Sequence, residues 1–199
     1  MAKCIECGEY TKYEDSVCYD CWHLMDEEDD DLNSEQWRKD LNFNYQLIKG
    51  KIAEVIIERL FITMDFDVHK YGMEHSVPMF LDSLYDYKDK TAKEITSMPD
   101  FVVTNREEKT YYVEVKYRKS GQFSYSKLGE EYKYDSGILI LVTKQNICSI
   151  AIEDLKRVGS VKDCDLYKLE NQKEFGFDDL DRAIIGQFKK MAIRAFKEL

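Results

Sequence analysis

Two short runs of aromatic and β-branched residues flank a polar turn near the middle of the chain, the second with a two-residue period, and a third run is apolar throughout. Pro99-Asp100-Phe101-Val102-Val103 and Tyr111 to Tyr117 are rich in aromatic and β-branched residues, with polar Asn105 to Lys109 between them. That pattern predicts two strands joined by a turn. Along the second strand a period of two puts Tyr111, Val113, Val115 and Tyr117 on one face, and Tyr112, Glu114, Lys116 and Arg118 on the other. The first is a core face. The second carries an acid and a base side by side, and an antiparallel neighbour opening at Asp100 sets a second carboxylate beside Glu114. Ile138 to Val142 is apolar at every position between Gly137 and Thr143, as a strand buried on both faces requires, hence central and parallel after a crossover. Ile147 to Ile152 reads as a further strand, and residues 124–135 carry a mixed helical pattern that would supply the crossover.

Helical periodicity begins near Asn44. Leu47, Gly50, Glu54, Ile57 and Phe61 recur at spacings of three and four, and Ile52, Val55, Ile56 and Leu60 widen the stripe. Glu54 interrupts it. An inward carboxylate is costly without a cation or metal, so Glu54 either pairs with Lys51 at the edge of the stripe or faces such a partner. A strand over Asp65 to Tyr71 ends at Gly72, and residues 77–98 read as an insertion, with His75 just before it. Asp178 to Leu199 forms an amphipathic helix, acidic at its start and basic at its end. Its apolar face of Leu180, Ile184, Phe188, Met191 and Ala195 serves core packing or a homodimer contact.

Composition changes this picture at the N-terminus. The 199 residues are 44% hydrophobic, enough for a real core. The formal charge is −10, and it sits entirely in residues 1–36, which hold 2 Lys/Arg and 12 Asp/Glu. The remainder is balanced, so any surface for phosphate backbones must be local. Asp26 to Asp31 is an unbroken acidic run that reads as a solvated linker. No run is long and apolar enough to span a membrane, which with the absence of a secretory pattern implies a cytoplasmic protein. Four of the six cysteines form two Cys-x-x-Cys pairs, Cys4/Cys7 and Cys18/Cys21, ten residues apart. Four thiolates in paired turns suit one tetrahedral Zn²⁺ in a knuckle or short ribbon, with His23 as a spare ligand. Cys148 and Cys164 read as ordinary thiols. The expected organisation is a zinc unit over 1–25, an acidic linker over 26–43 and one domain over 44–199.

Two carboxylates on rigid strands suit a hard divalent cation, and a lysine two residues on can orient a water as an ammonium, or take its proton if burial lowers the lysine pKa. Pro99-Asp100…Glu114-Val115-Lys116, with a Glu-bearing helix before it, resembles the PD-(D/E)XK nuclease superfamily over residues 44–152. The resemblance implies a restriction-endonuclease-like α/β fold with an αβββαβ core and a mixed sheet. It further implies Mg²⁺ or Mn²⁺ held by Asp100, Glu114 and the Val115 carbonyl, with Lys116 beside the attacking water and Glu54 completing the site. Arg118, Lys119, Lys127 and Lys133 are candidates for phosphate contact, and Tyr125 and Tyr132 for base stacking. Two branches of the superfamily fit poorly. One has a Gln-x-x-x-Tyr signature where Ser126 follows Gln122, and another spreads cluster-binding cysteines around the core. The expected activity is a metal-dependent endonuclease acting on DNA, its zinc unit contacting DNA or a protein partner. The alternatives are a catalytically inactive nuclease fold serving as a scaffold, and a zinc-dependent regulator without phosphodiester chemistry.

Overall fold

A computed structural model describes residues 2–3, 10–11, 35–72, 97–129, 132–162 and 167–197. The chain divides into two compact units, Met1–Ile48 and Lys49–Leu199. In the first, β1 (Ala2–Lys3) pairs antiparallel with β2 (Tyr10–Thr11). The four paired cysteines, His23, the acidic run, His75 and residues 77–96 lie outside the described residues, so the zinc reading stands as a sequence expectation.

The second unit is mixed α/β. A five-stranded sheet has the order β3 (Asp67–Lys70), β4 (Phe101–Thr104), β5 (Thr110–Tyr117), β7 (Ile138–Val142), β8 (Ile147–Ala151). Every pairing is antiparallel except β5 with β7, which is parallel. The central parallel strand expected at Ile138 is therefore present, with all five residues buried. A small antiparallel pair, β6 (Gln122–Ser124) and β9 (Ser160–Lys162), lies beside the main sheet. Among the described residues there are three α-helices: α1 (Glu35–Thr63), α2 (Ile152–Val158) and α3 (Asp179–Lys197). None is long and apolar enough to cross a membrane.

The turn between β4 and β5 is held by its own sequence. Asn105 is buried, and its Oδ1 accepts from the backbone N–H groups of Glu107 and Lys109 at 2.9 and 3.0 Å. This is the local side-chain bonding that makes Asn a turn residue. The crossover between β5 and β7 departs from expectation. Among the described residues of 124–135 there is no α-helix: β6 runs into a 3-10 turn, Tyr125–Leu128, that stops at Gly129. Gly129 has φ 105, a left-handed value that ends the turn. Tyr125 then donates to Asp135 at 3.0 Å, which ties down the far side of the segment.

The sheet separates two cores. On one face Val113, Val115 and Tyr117 join Ile138, Ile140 and Val142 beneath α1 and α3. Ala53, Ile56, Ile57, Leu60 and Phe61 are the buried positions of α1, while Val55 is 53% exposed. Ile185, Ala192 and Phe196 are the buried apolar positions of α3, with Ile184, Phe188 and Ala195 of the expected face packed half-buried beside them, and Phe196 stacks on Tyr117 at 4.2 Å. Leu180 and Met191 are exposed. On the other face Leu139 and Leu141 pack with Phe123, Tyr132, Ile152 and Leu155. Cys148 on this side is buried and disulfide-bonded, not a free thiol. A lone cysteine carries no spacing signal that would have shown this.

Gly137 marks the tightest junction of this second face. A Cβ there would meet the Tyr134 and Tyr112 carbonyl oxygens at 3.0 and 3.1 Å and the Tyr112 Cβ at 3.2 Å. Backbone cannot yield as a flexible side chain can, so Gly137→Ala is expected to cost about 1–3 kcal/mol in urea unfolding. An unchanged midpoint would show that the crossover relaxes freely.

Candidate active site

The face of β5 opposite α1 and α3 carries Tyr112, Glu114 and Lys116. Its antiparallel neighbour β4 pairs Phe101 with Val113 and Val102 with Tyr112. Continuing that register places Asp100 opposite Glu114, on the same face. β4 has ended there, however, while β5 runs on to Tyr117. The stranded edge of β5 needs another acceptor, and Asp100 supplies it: Oδ2 takes the Val115 N–H at 2.7 Å. A residue's N–H and C=O point to the same edge of an extended strand. The Val115 carbonyl therefore faces the notch left by β4.

Glu114 is buried, and the Lys116 ammonium pairs with its Oε1. Its other oxygen, Oε2, is buried with no partner among the described residues. Burial, with Asp100 and Glu54 adding to it against the opposing Lys116, pushes the Glu114 carboxyl up to about 7. Lys116 answers in kind. Burial works against its charge, but Glu114 and then Asp100 more than offset that and hold it above the ordinary lysine range. The sequence left open a lysine whose pKa burial lowers until it can accept a proton; the surrounding carboxylates do the reverse.

Glu54 reaches the same place from α1. It pairs with Lys51 at 2.9 Å, and burial first and Asp100 second raise its pKa. The pairing with Lys51 expected from the sequence is present, and Glu54 also lies within electrostatic reach of Asp100 and Lys116. Asp100, Glu114 and Lys116 share one place at the end of β4, and Glu54 lies within electrostatic reach of them. Among the described residues no three or more His, Cys, Asp or Glu converge as a ready metal-ligand group.

The flanking expectations fare differently. Tyr132 is 6% exposed, too deep to stack on a base. Its hydroxyl is buried and unpartnered among the described residues, and burial, then Glu114 and Asp100, push its ionisation above the ordinary range. Tyr125 is committed to Asp135, with Lys156 over its ring. Arg118 donates to the Tyr117 carbonyl at 2.8 Å and lies over the Phe123 ring. Lys119, Lys127 and Lys133 are exposed. Sequence reading missed a group of tyrosines beside the carboxylates: Tyr112 lies 5.5 Å from Tyr71 and 4.9 Å from Tyr134, ring to ring. The only sequence signal was Tyr112 itself, two positions before Glu114.

No family model, curated protein or solved structure matches this chain. The chemistry of the site must therefore be argued from its residues.

Proposed function

We propose that the protein is a metal-dependent phosphodiesterase of the nuclease type, built on a restriction-endonuclease-like core with DNA as the expected substrate. The observation that supports it most is the pair Asp100 and Glu114, opposite each other where the β4–β5 register is continued past β4, with Glu114 Oε2 buried and without a partner among the described residues. A buried carboxylate oxygen without a donor costs several kcal/mol or draws in a cation. Two hard carboxylates beside an inward backbone carbonyl are a donor set that suits Mg²⁺ or Mn²⁺. Asp100, Glu114 and the Val115 carbonyl would hold the ion, with Glu54 at its margin. When bound, it would polarise a phosphoryl oxygen and acidify a water.

The protein's own groups divide the remaining work. Asp100 is fixed by its bond to Val115 N–H, so its free oxygen is aimed without loss of side-chain entropy. Lys116, held as an ammonium by the carboxylates beside it, orients the attacking water or neutralises the phosphate. The zinc unit read from Cys4, Cys7, Cys18 and Cys21 would contact DNA or a protein partner.

The test is a panel of plasmid, linear duplex, single-stranded DNA and RNA with Mg²⁺ or Mn²⁺, run beside an EDTA control and Lys116→Met. Cutting is expected to need the metal and to fall roughly 10²–10⁴-fold in the variant, the range for losing a group that acts on the transferred proton or charge. Cutting that survives both EDTA and Lys116→Met would place the chemistry elsewhere.

A further inference from the structure

Glu114 Oε2 and the Tyr132 hydroxyl are both buried and both without partners among the described residues. Each unmatched polar atom costs about 1–3 kcal/mol. Two of them near one site are better explained by a shared ligand than by two separate defects.

Their placement supports this. Tyr132 belongs to the same packed cluster as Leu139 and Leu141. Those two residues are the register neighbours of Glu114 and Lys116 across the β5–β7 pair. The Tyr132 ring lies 5.7 Å from Tyr134, which lies 4.9 Å from Tyr112, the residue two before Glu114 on the same face. Tyr132 is thus on the carboxylate side of the sheet.

The two atoms are of opposite kinds. The carboxylate oxygen attracts a cation, while the phenol offers a proton. A direct bond between them would satisfy both, and it is not made. A ligand joining them would have to present positive charge to Glu114 and an acceptor to Tyr132 at once. A phosphoryl oxygen shared with a divalent cation has both properties; a single bridging water is the rival.

Building on the phosphodiester reading, we propose that Tyr132 faces the substrate, its hydroxyl donating to a non-bridging oxygen of the scissile phosphate beside the cation held by Glu114. It would stabilise charge there as a fixed donor does at an oxyanion.

Tyr132→Phe removes one oxygen and keeps the ring in its cluster. The variant would be compared with wild type for melting temperature, for binding of Mn²⁺ alone, for Mn²⁺-dependent binding of inorganic phosphate, and for kcat and KM. Melting temperature is expected to hold or rise. Mn²⁺ affinity should stay within about twofold, while kcat and phosphate binding drop, kcat by roughly 10²-fold. Wild-type kcat and phosphate binding in the variant would overturn the proposal while leaving the nuclease reading intact. Parallel loss of Mn²⁺ affinity would also overturn it, in favour of a water that merely positions Glu114. A wild-type protein that neither binds Mn²⁺ nor cuts would remove both readings.

Discussion

Glu114→Gln is expected to abolish metal-dependent cutting and, at pH 8, to make the metal-free protein more stable. The first effect follows, on the proposed reading, from losing a ligand whose ion would supply several kcal/mol of charge stabilisation, roughly 10³-fold or more in rate. The second follows from the Glu114 carboxyl, raised from 4.5 to about 7 in the folded state. A raised acid favours folding where it is protonated. Its contribution is complete below pH 4.5 and is lost as pH climbs through about 7. Above that, the fold holds an ionised buried carboxylate, a penalty of up to about 3 kcal/mol relative to acid pH. Glu54, raised in the same direction, adds to the trend. Gln cannot ionise. The variant should therefore melt higher than wild type at pH 8 and lose that advantage towards pH 5. Added Mn²⁺ should raise the wild-type melting temperature more at pH 8 than at pH 5.5 and leave the variant unmoved. Equal destabilisation at both pH values would show that Glu114 matters only through Lys116.

Asp100 separates ligand from scaffold. Asp100→Asn keeps an oxygen able to accept from Val115 N–H but gives up the charge, whereas Asp100→Ala gives up both. Both variants should cut at least roughly 10³-fold more slowly. Only Asp100→Ala should also lose stability, by about 1–3 kcal/mol, because it leaves the Val115 N–H without an acceptor in the notch. Cleavage and thermal denaturation on the two proteins side by side decide the matter. Retention of a tenth or more of the activity in Asp100→Asn would remove Asp100 from the ligand set.

The site was legible because it depends on the shortest-range rule in a sheet. Alternation by two fixes that Glu114 and Lys116 share a face opposite Val113 and Val115, and a polar turn between two β-rich runs fixes the antiparallel register that brings Asp100 across. The run Ile138 to Val142 announced a central strand because no half-exposed strand tolerates five consecutive apolar side chains. Residues 124–135 misled for the opposite reason. Leu128 and Tyr132 have helical spacing, but Gly129 between them takes a left-handed φ, and the two residues are buried by the sheet and not by a helix of their own. On α3, Ile184, Phe188 and Ala195 of the expected face do pack against the core, but Leu180 and Met191 stand in solvent, and the fully buried line runs one position on through Ile185, Ala192 and Phe196. The role proposed for Tyr132 could not be read at all. Its relation to Glu114 runs through Leu139 and the parallel pairing of β5 with β7, which no local pattern encodes.

The split between the two faces of β5 has a consequence for how such a protein can change over time. Val113, Val115 and Tyr117 are locked into the core shared with α1 and α3, so substitutions there put the whole unit at risk. Tyr112, Glu114 and Lys116 project to the other side, where the supporting cluster is a separate one drawn from β6, α2 and the crossover. Mutations in that second cluster can reshape the walls around the carboxylates while the helical side keeps the strand in register. Lineages carrying this fold could thus diverge in what they recognise and still retain the carboxylate pair unchanged.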